Sequence, residues 1–411
     1  MMERAGETRP FFPSGRNAAD HCGNGWPLPG HDVIIPAKDS RNQQRAEYGE
    51  EKQVASIATG TAADMRPIAP PIQIDNVYTQ AQHVTLMDMI RNHGPWRMVT
   101  KGRFQNIEQI AASTTGRIQP NLSMDHFIVA QFRGWLASHG TNYHPELDGI
   151  FFDPKLRAHA RAYWGAELAR PTFMYFSLSG PFEATDPGHI DGVTFRGIRK
   201  ENAPLWILSL MGKSGLFDRW MVKMTQVVAW WCNCPTGGFT YWPDGIAGQP
   251  QRVTAPMWNK GLICQNERMY HRPESNGPPE RRGYEGMTFD TELGVDPDDR
   301  DRWLMKTGDA VNAVLHSDDL RLMLHWNAEV YHDLDDLKLH SDHRDDLTHD
   351  MVAEIFMADL RRRGIAFDPP SDPYNDMAFI GVLNDAYNPG RPQIYPPGTK
   401  PLSLIRTEEA A

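Results

Sequence analysis

Apolar and polar positions along the chain change their spacing three times. From Val77 to Gly94, the residues Val84, Leu86, Met87, Met89 and Ile90 fall near one helical face, and Gly94 is placed to end it. A second helix is announced by Asp153-Pro154, an N-cap followed by proline at the first helical position, and runs through Leu156, Ala160 and Trp164 to Gly165. Between about 171 and 292 the chain switches to short runs rich in aromatic and β-branched residues, at 172–178, 205–211, 221–231, 238–242 and 261–270. Gly and Pro separate these runs, which predicts an antiparallel sandwich or barrel. Beyond about Val295 the spacing reads as helical again, over 302–315, 320–330 and the amphipathic stretch 347–364, which carries Arg361 to Arg363 in its last turn.

This pattern divides the chain into an irregular arm over 1–74, a mainly β core with buttressing helices (α+β) over 75–292, and a helical extension over 293–411. At 411 residues the core is large enough to enclose a site. Against 42 Lys+Arg stand 52 Asp+Glu, a net charge of −10, which argues against nucleic acid and anionic membrane as partners and for a small molecule. The four cysteines, Cys22, Cys232, Cys234 and Cys264, contain no CxxC pair, so neither a disulfide framework nor a structural zinc site is expected. No apolar stretch is long enough to span a bilayer, and Met1 to Gly15 lacks the apolar run of a signal peptide, so the cytoplasm is the expected compartment. The C-terminal helices offer a surface through which two copies could pair.

Chemistry enters with Gly188-His189-Ile190-Asp191-Gly192. An imidazole and a carboxylate two residues apart on an extended segment turn to the same face. A second imidazole, His271, follows 82 residues later (271 − 189), at the end of an apolar run. Two imidazoles and one carboxylate on one face of a metal leave the other face open, the arrangement that non-haem iron(II) oxygenases use for cosubstrate and dioxygen. A 2-oxo dicarboxylate on that iron needs a cationic anchor, for which a planar guanidinium is suited. Arg281 and Arg282 lie ten and eleven residues beyond His271, and if 282–289 is a closing strand only one of them faces inward.

The ordered set His189-x-Asp191, His271 and then Arg281 or Arg282 resembles the iron(II)/2-oxoglutarate-dependent oxygenases, with its nearest likeness to the phytanoyl-CoA hydroxylase-like branch. The resemblance spans roughly 78–292. It implies a double-stranded β-helix (jelly-roll, cupin-like) core, with Fe(II) held by His189, Asp191 and His271, and with 2-oxoglutarate and O2 as cosubstrates. It implies oxidation of an unactivated C–H bond by hydroxylation, desaturation or cyclisation, with succinate and CO2 released. It favours Arg282 over Arg281 as the anchor. The carboxylate at 191 speaks against halogen transfer. A cupin-type dioxygenase that needs no 2-oxoglutarate, and a jelly-roll module that merely binds a ligand, are the rival readings.

A lone His-x-Asp pair is commonly a surface turn, and it is the strand context and the later His271 that lift this one. Tyr175, Tyr241 and Arg196 are candidates for substrate contact, although aromatic residues in strands are more often core and Arg196 equally fits a surface ion pair. His332, His340, His343 and His349 sit among six aspartates and read as a solvated face. His325 and Trp326 read as packing residues.

Overall fold

The computed structural model describes residues 65–114 and 123–402; the expected arm over 1–74 lies almost wholly outside them. The first half of the described chain runs β1 (Ile72–Asp75), α1 (Gln80–His93), β2 (Trp96–Met98), α2 (Ile107–Ser113), β3 (Gln131–Ser138), β4 (Thr141–Asn142), α3 (Asp148–Phe151), α4 (Pro154–Trp164) and β5 (Leu168–Ser179). It continues through α5 (Leu205–Ser214), β6 (Met224–Cys232), β7 (Phe239–Trp242), β8 (Gln251–Val253), β9 (Met257–Cys264) and β10 (Tyr270–Pro273). The remainder is β11 (Glu292–Asp296), β12 (Asp299–Thr307), β13 (Ala310–His316), β14 (Arg321–Tyr331), α6 (Leu334–Ser341), α7 (His349–Arg362) and α8 (Met377–Tyr387).

Both expected N-terminal helices form where their ends are coded. Thr79 and Gln82 close a reciprocal capping box on α1. Asp153 caps α4 through the Lys155 N–H, and Gly165 ends it in the left-handed region.

Eleven strands form one antiparallel sheet in the order β1-β9-β6-β14-β5-β3-β2-β11-β12-β13, with β4 on β3; a second sheet holds β10-β7-β8. The small sheet lies over β6 and β9 of the large one, and Val228, Trp230, Phe239, Tyr241, Val253 and Leu262 fill the gap between them. On the opposite face of the large sheet, α4 packs its Leu156, Ala160 and Tyr163 against strand residues such as Ala328 and Val227. A separate apolar cluster joins α5, α7 and α8 beneath the segment that carries Ile190 and Val193.

Three stretches differ from the expected elements. Residues 302–315 and 320–330 are not helices but the hairpin β12-β13 and the strand β14. In β12 only Trp303 and Met305 alternate inward, and Gly308 turns the chain at a positive φ. β14 is buried along almost its whole length, because β5 and β6 flank it and other layers cover both its faces. A strand buried on both faces shows no alternation, and its Leu, Met, Ala and Glu content mimics a helix. Conversely, the apolar run at 205–211 is the buried helix α5. The third case is 282–289, which forms no strand. The sheet therefore extends well past 292, and its central strand lies inside the segment expected to be a helical extension. In that segment only α6, α7 and α8 are α-helices among the described residues, and the apolar side chains of α7 and α8 pack into their own chain. No helix among the described residues is long and apolar enough to cross a membrane.

Candidate metal and ligand site

The segment after β5 leaves the large sheet and runs beside β10. Phe182 bridges Asn276, and His189 bridges His271 with backbone hydrogen bonds of 3.1 and 2.9 Å in the two directions. Asp191 is tied to the Asn266 carbonyl at 3.0 Å. These bridges bring together three ligand atoms, one each from His189, Asp191 and His271, within 4.8 Å of one another.

Each imidazole is held in one tautomer. His189 Nδ1 meets Asp186 Oδ2, while Asp186 Oδ1 accepts the Gly188 N–H at 2.8 Å. Gly188 sits at φ +128, a region that L side chains rarely adopt, and that turn brings the Asp186 carboxylate beside the His189 ring. His271 Nδ1 donates to the Met269 carbonyl at 2.9 Å. With both Nδ1 atoms engaged, the Nε2 lone pairs are left for a metal, a pattern typical of metal-bound histidine.

The protonation states agree. Burial and neighbouring His189 lower the His271 pKa to about 4, so the ring is neutral at neutral pH. Burial alone would raise Asp191, but His271, His325 and His189 outweigh it and hold the carboxyl far below the usual range. Asp186 is likewise pulled down to about 2, with His189 outweighing burial. Two neutral imidazoles and one carboxylate suit a divalent first-row metal and leave positions for other ligands.

Neither Arg281 nor Arg282 faces this cluster. Arg281 makes a forked, exposed pair with Asp319 at 2.7 and 2.8 Å. Arg282 is spent on Glu183 Oε2 and on the Gly277 carbonyl. A space of about 190 Å³ lined by His189, Asp191 and His271 is also lined by Arg103, Arg133 and, at the first residue of β14, Arg321. Arg321 Nε donates to the Gly237 carbonyl at 2.8 Å, and its Nη2 is buried with no partner. Burial lowers its pKa to about 10, which still leaves it cationic. The sequence carried no local sign of Arg321, since 47 residues (274–320) separate it from β10.

The substrate candidates divide. Tyr175 lines the cavity, and its hydroxyl bonds His325 Nδ1. Tyr241 points instead into the core between the sheets, its hydroxyl held by Gln73 and Gln251. Arg196 is a buried tether, forked onto Asp345 at 2.8 and 2.7 Å and away from the metal cluster. His325, expected to pack, has its Nε2 3.9 Å from Asp191 Oδ2 and without a hydrogen-bond partner. The histidines at 332, 340, 343 and 349 form no metal-like group among the described residues, whereas His93, His144 and Glu146, near the surface, do.

A second chamber of about 240 Å³ shares Arg103, Arg133, Tyr175, Asp191 and His325 with the first. Trp135, Phe173, Lys200, Glu267 and Asn327 also stand in its wall. None of these five, nor Arg103 or Arg133, stands in a recognisable sequence motif.

No family model matches the chain, and no curated protein matches it. Solved structures overlap it loosely. One is an oxidoreductase of the 2OG-Fe(II) oxygenase family from Burkholderia pseudomallei, with 9% identity over 64% of this chain and 85% of that one and a TM-score of 0.30. HygX from Streptomyces hygroscopicus, with nickel and 2-oxoglutarate bound, has 9% identity over 64% and 83%, at 0.31. The viral collagen prolyl hydroxylase vCPH from Paramecium Bursaria Chlorella virus-1, in its 2OG complex, has 8% identity over 63% and 96%, at 0.28. Superposition that loose does not say which residues correspond, so function is read from this chain's own side chains.

Proposed function

We propose that the protein is an iron(II)- and 2-oxoglutarate-dependent oxygenase that oxidises a C–H bond of a small molecule. The observation that carries the reading is the His189, Asp191 and His271 cluster, with both Nδ1 atoms engaged and both rings free at Nε2. Bound iron(II) with 2-oxoglutarate would supply dioxygen activation, with succinate and CO2 as by-products. Within that scheme Asp186 and the Met269 carbonyl orient the imidazoles. Arg321, with an unpartnered guanidinium nitrogen in the same cavity, receives the distal carboxylate of the cosubstrate. Met323, Val228 and Phe239 give that cavity apolar walls that keep water off the site.

Two antiparallel sheets enclosing the cluster, with β14 between β5 and β6, support reading the core as a double-stranded β-helix. The spacing that pointed to the phytanoyl-CoA hydroxylase-like branch used Arg281 and Arg282. With Arg321 as anchor, only the His-x-Asp and distal His part of that likeness remains. Any pairing of two chains through α7 and α8 would use faces other than their apolar ones, which are occupied.

The test is anaerobic titration of iron(II) and then 2-oxoglutarate into the metal-free protein, followed by its visible charge-transfer band. The expected band disappears in His271→Ala and fades in Arg321→Ala, yet persists in Arg281→Ala and Arg282→Ala. Bound iron without a band would point to a dioxygenase that needs no 2-oxoglutarate. No bound iron would point to a ligand-binding module.

A further inference from the structure

The chamber on the Trp135 side of Asp191 holds more positive charge than its own side chains neutralise. The Arg103 side chain makes no hydrogen bond or ion pair among the described residues, and its guanidinium carbon lies 5.7 Å from the centre of the Phe104 ring. Arg133 lies with its guanidinium carbon 4.2 Å from the centre of the Tyr175 ring, and the one hydrogen bond of its side chain among the described residues, at 3.4 Å, is to the Ser177 hydroxyl. Lys200 places Nζ 3.1 Å from the centre of the Phe173 ring and 4.5 Å from that of Trp135. That nitrogen is buried without a hydrogen bond, and the Glu201 carboxylate paired with it stands 4.0 Å away. Arg97 and Lys101, on the same wall, are already answered by Glu292 and Asp290.

Two acids line the chamber among the described residues, Asp191 and Glu267. Asp191 is committed to the metal cluster. Glu267 is buried, with Oε1 accepting the Thr194 N–H and Oε2 unpartnered; burial, then the charge of Asp191, push its pKa well up. If the proposed iron, its Asp191 ligand, 2-oxoglutarate and Arg321 are counted together, their charges cancel. The excess cations of the chamber then remain. Isolated cations are costly to keep out of water unless something pairs with them. Unpartnered buried polar atoms also converge there: Lys200 Nζ, His325 Nε2, Glu267 Oε2 and both amide atoms of Asn327.

We propose that this chamber binds the oxidised substrate, and that the substrate is a small aromatic or similarly flat carboxylic acid. Its carboxylate pairs with the wall formed by Arg103, Arg133 and Lys200, and its apolar body lies against Trp135 and Phe173. Asn327 and Glu267 remain for a polar substituent. The Tyr175 hydroxyl engages His325 Nδ1, which leaves His325 Nε2 as a polar atom facing the chamber. The size agrees, since about 240 Å³ lies below the roughly 300–1,000 Å³ of sites for larger drug-like ligands and suits a one-ring acid. Burial lowers the Lys200 pKa to about 7, so an incoming carboxylate would also draw a proton onto it.

This assignment rests on the oxygenase reading for the role of the bound acid, but its test separates the two. Benzoate, phenylacetate and 3-phenylpropionate, each against its uncharged amide, are titrated calorimetrically into the anaerobic protein loaded with iron(II) and 2-oxoglutarate. At least one acid is expected to bind roughly tenfold or more tightly than its amide. Arg133→Gln and Lys200→Met are expected to erase that preference while the 2-oxoglutarate charge-transfer band remains, and Arg321→Gln to do the reverse. Equal affinity of acid and amide in every pair, or no binding of any probe, overturns the proposal. So does loss of the band in Arg133→Gln with its retention in Arg321→Gln, which would make the chamber cations the cosubstrate anchor. If the wild type forms no band, the oxygenase reading fails, and the acid-over-amide comparison on the same protein still decides whether the chamber takes an anion.

Discussion

Two hydrogen bonds to Nδ1 atoms decide what the cluster of His189, Asp191 and His271 can hold. Asp186 lies outside the proposed ligand set, yet its carboxylate fixes the His189 ring and so presents Nε2. Asp186→Asn should therefore lower iron(II) affinity by about 10–100-fold without unfolding the chain, measured by competition with a chelating dye. An unchanged affinity would mean that the His189 ring is positioned by other contacts. Arg281 shows the opposite case, a guanidinium in an exposed pair with Asp319. Arg281→Ala should cost about 0–1 kcal/mol in urea unfolding and leave 2-oxoglutarate binding intact. Much of the site was legible at this scale, because His189 and Asp191 share a short motif and His271 closes an apolar run. Arg321 was not legible, since its role depends on where β14 enters the sheet.

Elements explain that blind spot. β14 pairs with β5 along one edge and with β6 along the other, and this register places Arg321 at the end of the strand that borders the cavity. Trp326 sits midway along it, fully buried, its indole N–H donating to the Phe151 carbonyl at 2.8 Å. Trp326→Ala should destabilise the fold by about 3–5 kcal/mol through the cavity it leaves, read from the urea midpoint. Gly197 marks a different constraint. At φ +85 it lies so close to the segment leading into α7 that a Cβ would come within 2.2 Å of the Leu347 carbonyl oxygen. Gly197→Ala should cost about 1–3 kcal/mol, and a neutral substitution would show that this segment can move away.

Over the whole molecule, the strand order contradicts any division at 292. A chain ending there loses β12, β13 and β14 and all of β11 but Glu292, so β5 and β6 lose their shared neighbour; residues 1–292 expressed alone should give no cooperative thermal transition. A second expectation concerns pH. His271 and His325 are buried, with pKa values lowered by burial to about 4 and about 3. Above about pH 6.5 both are neutral whether folded or unfolded, so no penalty arises. As pH falls from there toward 4, the unfolded chain takes up protons that the folded one refuses, and stability drops by up to about 1.4 kcal/mol per pH unit for each ring. The urea midpoint of metal-free protein should therefore fall between pH 7 and pH 5, and less steeply in His325→Gln. Zinc(II) at 100 times its dissociation constant should raise stability by about 2.7 kcal/mol at neutral pH, because it binds the assembled cluster.

By itself the sequence determined the features that local chemistry writes into neighbouring residues. These are the capped ends of α1 and α4, the short strands of the β region, and a His-x-Asp pair whose two side chains share a face. Each depends on residues a few positions apart, where backbone geometry allows few outcomes. Tertiary structure decided what depends on two-sided burial and on distant strands meeting. It made a strand of the helix-like stretch 320–330 and a helix of the strand-like run 205–211, since a segment enclosed on all sides loses the period that distinguishes the two. It also put Arg321, rather than the two arginines nearer in sequence, on the cavity lined by His189, Asp191 and His271, and gathered Arg103, Arg133, Lys200 and Glu267 from separate loops and strands around one chamber. No spacing along the chain records that meeting, because it exists only once the sheets have closed.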